Sequence, residues 1–364
     1  MRDPLRVVKP AVRAQKAYTL AVRRAPVKIN QNENPFELPE AVKRRVLEQA
    51  LLRPWSRYPD FHPSELLLAM ARYAGWRPDG VLAGNGSNEL IQALLLVTVG
   101  AGTRVLVPEP TFTLYALLTR ILGGEVVNVP LGPRFEYDVA AVSKAGQESD
   151  ATLTIVCSPN NPTGTAMSVD DVARLCRQAP GLVVVDEAYH EFSGRSVAPL
   201  LSEHPNLVVL RTFSKAMALA GLRVGCLLGA PELVREIDKA RLPYNLDFFS
   251  QQAALAALEE REVLEANVKR LVALRQRLWS ALGELPGVRP FPSEANFILF
   301  ELERADPKAV FEGLFAQGVL VRDVTSYPRL GRCLRVSVGS EEENARFLES
   351  LGRALKTPAP ELAR

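Results

Sequence analysis

Between Val81 and Gly229, short apolar runs without polar alternation recur between helix-like stretches, and that rhythm restricts the chain to few folds. Leu182-Val183-Val184-Val185 and Thr154-Ile155-Val156-Cys157 are two such runs. An unbroken apolar run is what a central parallel strand looks like when helices cover both faces of its sheet. Strands alternating with helices over this span predict an α/β fold with a mainly parallel, doubly covered sheet. In such sheets the ligand crevice lies outside the carboxyl ends of the strands. The residues that end each run are therefore the first candidates for function.

At 364 residues the chain is long enough for a large core and two domains. Residues 1–30 read as an N-terminal arm, 31–250 as a large domain and 251–364 as a smaller α+β C-terminal domain. A first helix is expected from Ala41 to Leu52, and Cys226 to Gly229 reads as a further strand of the large sheet. From Phe249 to about Leu285 the composition is that of long helices, the second half leading into the smaller domain. That domain contains Phe297-Ile298-Leu299-Phe300, strand-like runs around Arg322 and Arg335, and a last helix from about Glu341. The tail after Lys356, with Pro358 and Pro360, reads as frayed.

Four segments carry chemistry. Lys215 lies in Thr212-Phe213-Ser214-Lys215, followed by Leu219-Ala220-Gly221-Leu222-Arg223-Val224-Gly225. A protonated amine cannot attack a carbonyl, whereas partial burial and a nearby cation such as Arg223 free the lone pair. On residue type alone Lys215 is a surface lysine; its company argues otherwise. Asp186 ends an apolar strand, where a carboxylate can hold a pyridinium N–H, or else cap the following helix. Asn161, in Ser158-Pro159-Asn160-Asn161-Pro162-Thr163-Gly164, stands in a proline-fixed turn and can present its amide to a phenolate oxygen. Gly84-Asn85-Gly86-Ser87 leads into an apolar-periodic helix, whose free N–H groups attract an anion. That turn is neither a Walker A motif nor a complete G-x-G-x-x-G fingerprint.

In this order the four segments resemble the pyridoxal-phosphate enzymes of fold type I, and within them the class II aminotransferases, nearest to the histidinol-phosphate branch. The resemblance runs from Asn30-Gln31-Asn32-Glu33-Asn34-Pro35 to Leu334-Arg335-Val336-Ser337-Val338-Gly339. It implies pyridoxal 5'-phosphate as cofactor and Lys215 as the lysine that binds it and shuttles the proton. It implies Asp186 as partner of the ring nitrogen, Asn161 and Tyr189 on the ring hydroxyl, and Phe112 stacked on the ring. Gly86, Ser87, Ser214 and Arg223, with Thr212, are implied as the phosphate cradle. Tyr58 is implied to reach the cofactor of a neighbouring subunit, which makes a homodimer with a shared active site an expectation. Two positions depart from the pattern. Asn88 stands where relatives often carry Asp, which leaves its contact open. Phe112 replaces the more usual Tyr, losing one hydrogen bond worth about 1 kcal/mol.

For the substrate, the resemblance implies Arg335 on a carboxylate, with Arg322 and Tyr18 gripping a phosphate. A guanidinium fork suits either anion. Arg322 could instead pair with Asp323 or a nearby acid, and Tyr18 could be a packing residue of the arm. The implied reaction is transamination of histidinol phosphate with 2-oxoglutarate in histidine biosynthesis. An aminotransferase for aromatic or other amino acids, a decarboxylase of a phosphorylated amino acid, and a non-enzymatic regulator are the alternatives.

Composition agrees with a small-molecule enzyme. A hydrophobic share of 47%, a charged share of 23% and a net charge of +3 are ordinary for a globular protein. The basic residues Arg13, Lys16, Arg23 and Arg24 lack the aromatic interleaving of a nucleic-acid surface. Cys157, Cys176, Cys226 and Cys333 show no C-x-x-C spacing, so neither a metal site nor a disulfide framework is expected, in keeping with a reducing cytoplasm. His62, His190 and His204 do not cluster. No signal peptide or membrane span is expected.

Overall fold

The computed structural model describes residues 3–17 and 22–356. Its strands are β1 (Val27–Lys28), β2 (Val81–Asn85), β3 (Arg104–Glu109), β4 (Glu125–Pro130), β5 (Leu153–Cys157), β6 (Leu182–Asp186), β7 (Leu207–Thr212) and β8 (Val224–Leu228), then β9 (Val288–Pro290), β10 (Phe297–Leu302), β11 (Val319–Leu320), β12 (Arg322–Asp323) and β13 (Cys333–Ser337). A seven-stranded sheet has the order β2-β8-β7-β6-β5-β3-β4. All its pairs are parallel except those of β8, which runs antiparallel to β2 and β7.

The absence of alternation in the strands has a direct cause. Val183 and Val185 of β6 enter one hydrophobic core, while Val184 enters the core on the opposite face. Val156 and Ile155 of β5 divide in the same way. Both faces of these strands exclude water, so hydrophobic burial selects apolar residues at every position.

The reversed β8 matters for the site. Because it runs against its neighbours, its first residues lie at the edge where β2, β6 and β7 end. Val224 faces Asn85, and Gly225 faces Thr212. A Cβ on Gly225 would lie 2.5 Å from the Ser87 nitrogen, 2.7 Å from the Gly86 carbonyl carbon and 2.9 Å from the Arg211 oxygen. These are backbone atoms that cannot rotate away, so only glycine lets the start of the Gly86–Thr98 helix sit against this strand.

A second, antiparallel sheet has the order β12-β13-β10-β9. Beside it β1 pairs in parallel with β11, Val27 opposite Val319. The end of the expected arm is therefore a strand of the C-terminal layer, and Ile29 is buried there with Phe300, Leu334 and Phe347. The final helix, Glu341–Ala354, starts with a capping box formed by Ser340 and Glu343. The expected division after residue 250 falls inside the helix Phe248–Glu259, whose Ala253, Ala254 and Ala257 belong to the core of the large sheet. The next helix, Arg261–Gly283, begins in that core at Leu264 and ends in the second core at Leu278 and Leu282. Between the two sheets, Tyr189 and Ala216 pack with Leu271, Phe297 and Val338.

Gly225→Ala is expected to lower stability by about 1–3 kcal/mol through overpacking against backbone. A urea titration would show a lower midpoint at unchanged slope. An unchanged midpoint would mean that the helix start can retreat from the strand.

Candidate active site

A cavity of about 280 Å³ opens where β5, β6 and β7 end and β8 begins, and residues of β12 and β13 reach it from the second sheet. Its lining includes Ser87, Phe112, Asn161, Asp186, Tyr189, Thr212, Ser214, Lys215, Arg223, Arg322 and Arg335. Gly86 adjoins it at the helix start, where a Cβ would meet Arg223 Nη2 at 2.5 Å. Segments far apart in sequence are thus gathered because the parallel strands all release their chains at one edge.

Lys215 is half-buried, and its Nζ donates to the Gln31 carbonyl at 2.8 Å. Burial lowers its pKa to about 7, and the positive charges of Arg335, Arg223 and Lys28 push the same way against the opposing Glu33 carboxylate. A large fraction of the amine is therefore neutral, and nucleophilic, near neutral pH. On one side of it Arg223, in a left-handed conformation at φ 56°, donates Nη1 to Ser214 Oγ at 2.9 Å and to the Ala220 carbonyl at 3.0 Å. The Ser214 N–H donates to Thr212 Oγ1 at 3.2 Å. The Gly86–Thr98 helix begins with no side-chain cap, so its first N–H groups face this cation-rich corner as an anion site.

Asp186 is 3% exposed at the end of β6. Its Oδ2 accepts from the Tyr115 hydroxyl at 2.6 Å and its Oδ1 from the Ala188 N–H at 3.0 Å. Burial raises its pKa, and these two donors oppose that rise. The Tyr189 hydroxyl accepts from Asn32 Nδ2 at 3.0 Å, so its own proton is directed elsewhere. Burial holds the Tyr189 phenol well above its ordinary pKa, as a neutral donor. Asn161 accepts through Oδ1 from Arg335 Nη1, and Arg335 Nη2 donates to the Asn30 carbonyl at 2.8 Å. Arg322 stands opposite Arg335 in the antiparallel register. Asp323 instead accepts through Oδ1 from the N–H and hydroxyl of Thr325, and no ion pair of Arg322 occurs among the described residues.

Tyr58 lies outside the cavity lining, 75% exposed and stacked on Tyr244 with ring centroids 4.4 Å apart. Tyr18 lies outside the described residues. Sequence reasoning passed over Asn30, Gln31, Asn32, Tyr115 and Tyr327, all of which line the cavity. A signal existed for Tyr115, an aromatic three residues after Phe112 at the start of the helix Leu114–Leu122. For Asn30 to Asn32 it was a polar run that the structure buries at its two asparagines.

These residues fit pyridoxal phosphate on three structural grounds. A cationic corner with uncapped helix N–H groups suits a phosphate. A buried carboxylate with two fixed donors suits a ring N–H. Asn30 Oδ1, buried in the wall, has no hydrogen-bond partner among the described residues and suits a ligand donor.

The profile of the family described as aminotransferase class I and II matches residues 24–351. The chain is 40% identical over 352 residues to a histidinol-phosphate aminotransferase of Chlorobium phaeovibrioides, covering 96% of this chain and 97% of that protein. The crystal structure of histidinol-phosphate aminotransferase from Sinorhizobium meliloti in complex with pyridoxal-5'-phosphate is similar with a TM-score of 0.87 at 26% identity, over 95% of this chain and 96% of that one. L-threonine-O-3-phosphate decarboxylase from Porphyromonas gingivalis, at 20% identity and a TM-score of 0.81, shares the fold alone. The chain belongs to the class I and II aminotransferases.

Proposed function

We propose that this enzyme is a pyridoxal-phosphate-dependent histidinol-phosphate aminotransferase, which moves the amino group of L-histidinol phosphate to 2-oxoglutarate and so serves histidine biosynthesis. The observation that carries this reading is the facing pair Arg322 and Arg335 in the cavity wall. Like charges directly opposite one another in a sheet destabilise it, and an anion between them removes that cost. This pair comes from the second sheet, whereas the Gly86, Ser87, Ser214 and Arg223 corner comes from the first, so the cavity offers one anion site for a cofactor phosphate and a second for substrate. The relatives named for histidinol phosphate support the same reading.

When bound, pyridoxal phosphate supplies an electrophilic carbon and a ring that accepts the electrons left by a departing Cα proton. Lys215, whose pKa is lowered to about 7 so that much of it is neutral near that pH, takes and returns that proton. Asp186 holds a proton at the ring nitrogen. Tyr189 and Asn161 bind the ring oxygen, Tyr189 with the proton that Asn32 leaves free. Phe112 covers a ring face, while Ser87, Ser214, Thr212 and Arg223 hold the phosphate. Arg335 takes the carboxylate of glutamate or the phosphate of the other substrate, with Arg322 and Tyr18 on the phosphate.

The two sheets are read as two domains joined along the helix Arg261–Gly283. The active unit is read as a homodimer in which the exposed Tyr58 reaches the partner's cofactor. All four cysteines are free and buried, in keeping with a cytoplasmic location. Among the described residues no helix is long and apolar enough to cross a membrane.

Single half-reactions test the function. Histidinol phosphate is expected to bleach the visible absorbance of the lysine-linked cofactor quickly, and phenylalanine slowly; equal rates would mean a broad aminotransferase. Arg322→Ala should weaken histidinol phosphate by about 10–100-fold, the loss of one charge-assisted contact, and glutamate far less. Attachment of the cofactor to the apoprotein should accelerate as pH rises through about 7. Arg335→Ala removes the largest repelling charge on Lys215 and should move that midpoint to higher pH; a fixed midpoint argues against the charge effect. Dimers mixed from Tyr58→Ala and Lys215→Ala subunits should regain one tight cofactor site each, and none if Tyr58 serves its own subunit.

A further inference from the structure

Tyr115 is fully buried at the start of the helix Leu114–Leu122, yet it lines the cavity. A phenol with no exposed surface must place its hydroxyl on a partner, and its partner is the Asp186 carboxylate, 2.6 Å away. That length is typical of a hydroxyl donating to an ionised oxygen. The tyrosine ring also meets the Phe112 ring edge-on, with centroids 5.5 Å apart and planes 85° apart. One side chain thus touches two of the residues that the proposed function places on the cofactor ring, Asp186 and Phe112.

We infer that Tyr115 is a positioning residue for that ring: its hydroxyl keeps Asp186 ionised and aimed at the ring nitrogen, while its ring braces Phe112. This rests on the pyridoxal-phosphate reading above and extends it to a residue that acts through Asp186 and Phe112.

The groups around Asp186 leave Tyr115 as the adjustable donor. Cys157 faces it from β5, with Tyr137 behind, and burial holds both well above their ordinary pKa values, so they stay neutral. The Tyr115 phenol is pushed up in the same way. On the strand's own continuation, Tyr189 is neutral for the same reason, and Glu187 is engaged by Arg211 through an ion pair at 3.0 Å. Lys215, in the loop after β7, is the one neighbour in the cavity whose pKa is moved to about 7. The Ala188 N–H is the second donor to Asp186 and, as backbone, cannot be tuned. Removing the Tyr115 hydroxyl leaves a buried carboxylate short of a donor, so its proton affinity rises. The proton shared with a ring nitrogen then moves toward the carboxylate, and the ring loses electron-accepting power.

The test uses pyridoxamine phosphate labelled with ¹⁵N in the ring, because this form lacks the aldehyde and its binding does not require Lys215 chemistry. Cofactor retention and the ring ¹⁵N shift are followed from acid to alkaline pH. A carboxylate that must be ionised loses its ligand as pH falls through its pKa, so a raised pKa moves the loss to higher pH. Tyr115→Phe keeps the ring against Phe112. It is expected to move the acid limb up by about 1–2 pH units and to shift the ¹⁵N signal toward the unprotonated value. Difluorotyrosine at position 115 keeps the shape but donates more strongly, and should move the limb down. It decides the matter should the phenylalanine variant fail to fold. A limb and a ¹⁵N signal that stay at the wild-type position in the fluorinated protein, or in a folded Tyr115→Phe, would overturn the inference. Failure of the wild-type protein to bind the labelled cofactor would instead sink the functional reading.

Discussion

Four cations, Lys215, Arg223, Arg322 and Arg335, face one cavity whose lining, among the described residues, includes the single carboxylate Asp186. The rest of the site follows from that imbalance. Burial first, and repulsion with it, loosens the proton on the group best able to lose it, the Lys215 amine, because a guanidinium holds its charge far more strongly. The arginines remain charged and are steadied by neutral oxygens: Ser214 and Ala220 for Arg223, Asn161 and Asn30 for Arg335. Neutral acceptors orient a cation without cancelling it, which leaves its charge for anionic ligands.

Such crowding needs a scaffold that cannot relax. The seven-stranded sheet supplies it by burying both faces of its central strands, so the positions where those strands end are set by two packed cores. The reversed β8 then delivers Arg223 against the uncapped start of the Gly86–Thr98 helix, with Gly225 allowing the backbones to touch. The second sheet brings Arg322 and Arg335 from the opposite side. Its attachment through the helix Arg261–Gly283 and through the cluster of Tyr189, Phe297 and Val338 makes the cavity a joint property of both layers. Catalysis by such a site is largely preorganised electrostatics.

The candidate residues were legible wherever a residue's neighbours in the chain are also its neighbours in space. Lys215 and Arg223 share one loop, and Asp186 ends an apolar strand that declares its own burial. Tyr115 was harder, because a tyrosine at the start of an apolar helix reads as packing until the Asp186 carboxylate is seen beside it. The helical stretch after Phe249 was legible, but the core it joins was not. Composition marks long helices after Phe249, but which core an alanine-rich helix enters depends on what it meets, and Phe248–Glu259 joins the large sheet.

The sequence by itself determined the doubly covered sheet, since hydrophobic burial on both strand faces demands unbroken apolar runs, and it marked Lys215, Asp186 and the glycine turn before the Gly86–Thr98 helix as candidates. Only the tertiary structure decided which charges meet. The parallel pairing of β1 with β11 sets Asn30, Gln31 and Asn32 against Lys215, Tyr189 and Arg335. The register of β12 on β13 sets Arg322 opposite Arg335. The first joins segments far apart in the chain and the second closes a short connection, but both registers follow from the fit of packed cores, for which no local pattern in the chain is a substitute.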